Sequence, residues 1–253
     1  MTGPRRKTEE QRASRRRAAP FRCRLVVMAK TPVAGAVKTR LAREVGVAEA
    51  TRFARHAGAA LLGRIGFDPR WQTILAVAPD ASIASRCWPH RVSRIRQGGG
   101  DLGTRMQRIF GSLPPGPALI VGTDVPGITP GHIAQAFRLL GRHDAVFGPA
   151  ADGGYWLVGS KRRPRVLPIF TGVRWSSPHA LADTLANLRG RSVGFVATLR
   201  DVDDASGMAV TAAHFGRRIL TLPHHLQRMK GPRSRWKWSR WASLWSGPST
   251  TWK

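Results

Sequence analysis

The stretch that most constrains this chain is Leu119-Ile120-Val121-Gly122-Thr123-Asp124-Val125-Pro126. A short apolar run stops abruptly in one carboxylate and a turn. A run of this length, bounded by glycine and proline, reads as a buried strand. In open α/β sheets ligands collect beyond the carboxyl ends of the strands, where Asp124 falls. A lone carboxylate there, beside a threonine, suits a hard cation that bridges phosphate oxygens. Its competing role is to cap the next helix.

The same pattern repeats along the chain. Leu25–Ala29 and Thr73–Ala78 read as strands, and Val92–Gln97 as a weaker one interrupted by Arg94 and Arg96. Asp144–Gly148, Trp156–Val158 and Val193–Leu199 complete the set. Between them, helical spacing covers 48–65, where Phe53, Ala57, Ala60, Leu61 and Ile65 share a face. Further helices are expected at Thr104–Leu113, from Pro130 to Leu140, and over 178–189. Pro130 suits the first turn of its helix. Strands alternating with helices predict an α/β domain with a mostly parallel sheet and helices on both faces.

Charge narrows the ligand class. The 253 residues hold 42 Lys and Arg against 14 Asp and Glu. Both ends are extreme. Residues 1–24 hold nine Arg or Lys and two Glu, and residues 223–253 hold seven and no acid. The body between them is basic as well. Such a surface favours anions: nucleotides, phosphates, nucleic acid or acidic lipid head groups. Residues 1–21 read as a basic disordered extension, since they lack large apolar residues. Residues 223–253 read as a basic, Trp-rich extension, with Trp236, Trp238, Trp241 and Trp245 set among Arg235, Lys237 and Arg240. Nucleic-acid or anionic-membrane contact is the sharper expectation for these ends, and a dispensable extension the plainer one. The two cysteines, Cys23 and Cys87, form no metal-type cluster. A cytoplasmic location is expected, with the inner membrane surface as a peripheral alternative.

Five constellations carry the chemistry. The first runs from Lys30 to Arg40: Gly35 allows a tight turn, and Lys38 and Arg40 follow at a helix start, where amides and cations suit an anion. It lacks the P-loop pattern. The second is Gln97 to Gly103. Gly98, Gly100 and Gly103 satisfy G-x-G-x-x-G between a strand and a helix, so a dinucleotide site is an alternative. The third is Asp124. The fourth is Asp152-Gly153-Gly154-Tyr155, where glycines admit a ligand to the backbone and Asp152 accepts hydroxyls or assists a metal. The same residues are also a strong hairpin signal. The fifth is Asp201, Asp203 and Asp204. In extended chain Asp201 and Asp203 face one side, a costly arrangement unless a cation or arginines compensate.

The segments MAKTPVAGAVKTRLA, GGGDLGTRM, GTDVPG, GPAADGGYWLVG and DVDD, in that order, resemble the bacterial GT-A-fold proteins known as radical-SAM/selenodomain-associated glycosyltransferases. That family is similar to the molybdenum cofactor and 2-phospholactate guanylyltransferases. The resemblance covers residues 22–222 and implies a single GT-A-like (nucleotide-diphospho-sugar transferase) domain over them. It implies a nucleotide or nucleotide-sugar donor, an unknown acceptor, and Mg²⁺ or Mn²⁺. The nucleotide would lie over the first loop, bound by Lys30, Gly35, Lys38 and Arg40 with Lys38 and Arg40 near phosphates, while Gln97 and Gly103 would lie near the base and Gly153 and Gly154 near ribose or the transferred group. Asp124 and Asp203 would hold the metal, and Asp124, Lys38 and Asp152 would be catalytic. Many metal-dependent glycosyltransferases show D-x-D, whereas Asp124 is followed by Val125 and Pro126. Glycosyl transfer is the leading expectation, with nucleotidyl transfer releasing pyrophosphate as the alternative. A non-enzymatic basic binder of nucleic acid or membrane, with a decayed site, is the third.

Overall fold

A computed structural model describes residues 22–162 and 165–201. The N-terminal extension, Asp203, Asp204 and the Trp-rich end lie outside them. The strands are β1 (Arg24–Lys30), β2 (Gln72–Ala78), β3 (Ser93–Arg96), β4 (Ala118–Gly122), β5 (Ala145–Pro149), β6 (Tyr155–Ser160) and β7 (Val193–Phe195). The α-helices are α1 (Thr39–Val45), α2 (Val47–Ile65), α3 (Leu102–Ser112), α4 (Pro130–Leu140) and α5 (Ala180–Ala186).

The strands form one seven-stranded sheet in the order β3-β2-β1-β4-β6-β5-β7. β1 pairs in parallel with β2 and β4, β2 with β3, and β5 with β7. β6 runs antiparallel to both of its neighbours. The sheet is therefore mostly parallel, as the alternation of strands and helices requires.

The central strands are apolar through their middles because both faces are covered. Along β1, side chains alternate between faces. Leu25, Val27 and Ala29 join a core with Leu61, Leu62 and Ile65 of α2 and Ile133, Ala136 and Leu140 of α4. Val26 joins the opposite core with Met106, Ile109 and Phe110 of α3 and Phe147 and Val158 of the sheet. Two helices therefore cover one face and α3 the other, where Leu181 and Leu185 of α5 also pack. Burial of α2 follows the helical repeat, with Ala50, Phe53, Ala57, Leu61 and Ile65 inside.

The expected elements differ from the observed ones mainly at their ends. α3 begins at Leu102 because Asp101 caps it, its carboxylate accepting from the Thr104 N–H at 2.7 Å. α5 is shorter than the 178–189 pattern. It stops at Asn187, whose side-chain amide turns away to Ile169 O and Thr171 O. β7 ends at Phe195, Val196 N still donates to Phe147 O at 2.9 Å, and the chain rejoins the end of β5 where Leu199 N donates to Pro149 O at 3.1 Å and Leu199 bridges to Ala150. Between those points the Trp156 indole N–H donates to Ala197 O at 3.0 Å.

Candidate phosphate-binding crevice

The chain leaves β1 toward β2 and β3 on one side, then crosses back to place β4 on the other side of β1. The carboxyl ends of β1 and β4 therefore flank the point where strand order reverses, the usual ligand crevice of open α/β sheets. Register sets the heights. Met28 pairs with Gly122, so Lys30 and Asp124 each lie two residues beyond one rung. Lys30 itself pairs with Ala78, and Gln97 N donates to the neighbouring Val77 O at 3.2 Å. Val121 pairs with Leu157 of the antiparallel β6, so both chains run to this edge, one to Asp124 and the other to Gly154. Leu199, bridged to Ala150, brings Asp201 to the same edge. The described parts of all five constellations therefore share one edge of the sheet.

The loop after β1 folds as a turn from Val33 to Ala36, closed by Ala36 N donating to Val33 O at 3.0 Å. Gly35 has φ 76°, the third-position geometry of a type II turn, which glycine adopts without steric cost. Lys38 follows with φ 49° and ψ 46°, a left-handed lysine immediately before α1. It is the residue preceding the helix, not part of it. Arg40 lies in the first turn of α1 and is exposed. Lys30 ends β1 and is exposed as well.

The turn carries Lys38 onto Asp124. Its Nζ lies 2.8 Å from Asp124 Oδ1, joining two constellations that are far apart in sequence. The Lys38 side chain is 7% exposed and that of Asp124 57% exposed. An ammonium withdrawn from water this far needs a countercharge, and the carboxylate supplies it from the solvent side. The capping role for Asp124 does not hold. The next helix, α4, is capped by Thr129, whose hydroxyl accepts from His132 N while His132 Nδ1 accepts from Thr129 N. Asp124 instead faces the crevice beside Lys38.

Gln97 is buried under the glycine loop. Its amide donates to Ala76 O at 2.8 Å and Ala29 O at 3.2 Å, and its Oε1 accepts from Arg105 at 3.0 Å. It ties the ends of β1 and β2 together beneath the edge. The loop above it is held by Asp80, whose Oδ1 accepts from Gly98 N at 3.0 Å. Asp80 went unremarked in the sequence, although Pro79-Asp80 follows the β2 run much as Asp124 follows β4. Hydrogen bonds from Thr104 hold the Asp101 carboxyl below the usual range, which keeps its cap charged.

Two glycines meet one segment. A Cβ on Gly103 would approach Trp175 Cζ2 at 2.7 Å and Phe170 Cβ at 3.0 Å. A Cβ on Gly153, which has φ 86°, would strike the Pro178 carbonyl oxygen. Residues 170–178 thus pack on both the second and the fourth constellation, and nothing in the local sequence announces this. The Asp152 turn is a hairpin between β5 and β6. Asp152 Oδ1 accepts from Gly154 N at 2.9 Å, and the side chain is exposed at the edge. Behind it the partly buried Tyr155 packs against Phe147 and Trp175, and its desolvation pushes the phenol well up.

Among the described residues, no group of three or more His, Cys, Asp or Glu could hold a metal ion. The donors at this edge fit a different arrangement. One carboxylate with a free face to solvent suits Mg²⁺ that keeps waters and is held mainly by substrate phosphates.

A family model described as "Uncharacterized protein conserved in bacteria (DUF2064)" matches residues 61–177, which span the second, third and fourth constellations. No curated protein matches the chain. Among solved structures, a protein of Desulfovibrio desulfuricans G20, provisionally described as a nucleotide-diphospho-sugar transferase, is 25% identical with a TM-score of 0.71. The match covers 79% of this chain and 90% of that one. The 4-diphosphocytidyl-2C-methyl-D-erythritol synthase of Anaerococcus prevotii DSM 20548 is 10% identical with a TM-score of 0.51, over 77% of this chain and 98% of that one. The fold is thus that of nucleotide-diphospho-sugar transferases and related nucleotidyltransferases.

Proposed function

We propose that this protein is a transferase that uses a nucleotide-activated donor, with the donor phosphates in the crevice between β1 and β4. The observation that carries the reading is the Lys38–Asp124 pair at the point where strand order reverses. Likeness to the D. desulfuricans protein supports the reaction class. Lys38 would balance phosphate charge, with Lys30 and Arg40 on the flanks. Asp124, and Asp203 beyond the described residues, would hold Mg²⁺ or Mn²⁺, which supplies electrostatic stabilisation of the leaving phosphate oxygens. Asp152, exposed on the hairpin turn, would face the transferred group or the acceptor, and Gly153 and Gly154 would line its approach. Gln97 and Gly103 would act beneath the base by fixing the loop that meets it.

Glycosyl transfer from a nucleoside-diphosphate sugar is the leading reaction. One observation favours nucleotidyl transfer. Val125, after Asp124, is buried, and the chain turns at Pro126, so this strand end offers a single acid and no D-x-D pair.

A thermal-shift screen of nucleotides and nucleotide sugars with Mn²⁺ tests the common core, since a ligand that binds only the folded protein raises its melting point. Pyrophosphate release then separates nucleotidyl from glycosyl transfer. Lys38→Ala should weaken the nucleotide found by roughly 10- to 150-fold, as expected for a charged hydrogen bond of roughly 1.5–3 kcal/mol. Calorimetry showing parental affinity would remove Lys38 from the site.

A further inference from the structure

We propose that Lys38 makes divalent-cation binding at Asp124 conditional on nucleotide phosphates. The inference rests on the crevice being the donor site and adds a coupling between its two ligands. Lys38 Nζ sits 2.8 Å from Asp124 Oδ1. A divalent cation on the same carboxylate would stand about 2 Å from an oxygen. The two positive centres would then meet at close range on the Asp124 carboxylate, and their repulsion opposes the metal.

The ammonium has little room to withdraw. The Lys38 side chain is 7% exposed, and the backbone that aims it is fixed. Lys38 itself is left-handed, behind a type II turn at Gly35 and against the first turn of α1. Moving the charge away means swinging the packed stem out of its place. Bringing in more negative charge is simpler. Phosphate oxygens beside Lys38 offer the ammonium further negative charge and offer the metal further ligands. Both cations then fit around Asp124. Asp124 itself, 57% exposed, is open to the side from which phosphates and a hydrated cation would come.

Coupling of this kind is reciprocal. If phosphates raise cation affinity by some factor, the cation raises phosphate affinity by the same factor. Lys38 thereby has two opposed effects, holding phosphate and repelling lone metal. A residue that only packed the loop would have neither.

The experiment measures Mn²⁺ binding to the full chain by electron paramagnetic resonance of free Mn²⁺, with no nucleotide present. Lys38→Met keeps most of the stem and removes the charge. Lys38→Asn removes the charge in a residue that tolerates the left-handed backbone, which guards against a folding defect in the first variant. Either folded variant should bind Mn²⁺ about tenfold more tightly than the parent, within the roughly 5- to 150-fold range of ordinary couplings. Adding Asp124→Asn to that variant should abolish the gain. Methylenediphosphonate, corrected for its own Mn²⁺ complex, should tighten Mn²⁺ binding to the parent and do so less in the variant. Unchanged or weaker Mn²⁺ binding in both lysine variants overturns the inference. If the parent still binds nucleotide and Mn²⁺ through Asp124, the donor site stands and only the coupling falls. If no nucleotide binds with Mn²⁺, the proposed function falls as well.

Discussion

Lys38 shows how a single residue can hold two positions at once, in backbone and in charge. Its left-handed backbone is uncommon for a lysine, and its ammonium is buried on Asp124. Asp124→Asn therefore does more than delete a metal ligand. It takes a carboxylate from the buried Lys38 ammonium, and the expected loss of stability is about 1–3 kcal/mol, less than the 3–5 of a fully enclosed pair because Asp124 faces water. Chemical denaturation would show this loss. Mn²⁺-dependent nucleotide binding should fall with it, and Lys38→Met/Asp124→Asn should recover most of the stability and none of the binding. His56 on α2 is a second residue with a readable charge. Burial, then Arg52 and Arg55, hold it below its ordinary value of 6.5. The folded protein resists that proton while the unfolded chain takes it up. The stability His56 supports is whole above pH 6.5 and is lost as pH falls below it. Melting temperature should decline from pH 7 toward 5, and His56→Gln should flatten the decline. Asp183 responds later. The Arg174 guanidinium holds its carboxyl far below its ordinary 3.8, so that contact is whole above 3.8 and is lost only in stronger acid.

At the scale of elements, the glycines separate conformation from crowding. Gly35 and Gly153 both have positive φ, but a Cβ on Gly35 meets nothing within 4 Å, whereas one on Gly153 strikes Pro178 backbone. Gly35→Ala should cost about 1–2 kcal/mol from the left-handed backbone alone. Gly153→Ala should cost more, because the hairpin turn or residues 170–178 must also move. Comparing the two by denaturation tests this, and an equal loss would show the 170–178 segment to yield freely. These contrasts also show what the sequence makes legible. The apolar runs of β1, β2 and β4 and the periodic face of α2 specify themselves, since burial on both faces or along one stripe leaves a pattern. α4 carries its proline and its threonine cap in plain view. The packing of Trp175 on Gly103, and of Pro178 on Gly153, leaves no local trace, because each partner lies far off in the chain. Asp124 and Lys38 could each be marked as candidates from their strand end and loop. Their pairing could not, since it depends on β4 being laid beside β1.

At the scale of the whole molecule, both cores are assembled from residues of the central span. The α2–α4 face and the α3 face draw their described members from Cys23 to Leu199. A chain of residues 22–222 should therefore melt cooperatively near the parent's temperature, measured by calorimetry. Loss of the transition would show that an extension belongs to the fold. Among the described residues no helix is long and apolar enough to cross a membrane.

The strand order has one more consequence, for solubility. A seven-stranded sheet has two open margins, and an unpaired margin is a template on which another chain can add a strand and begin an aggregate. Among the described residues the margins are β3 and β7, four and three residues long. β3 carries Arg94 and Arg96, and the Arg94 guanidinium turns onto the carbonyls of Ile83, Ser85 and Trp88, tying the preceding loop beside it. The long hydrophobic strands are all interior. Among the described residues the sheet thus presents its neighbours only brief margins, one of them guarded by repelling charge.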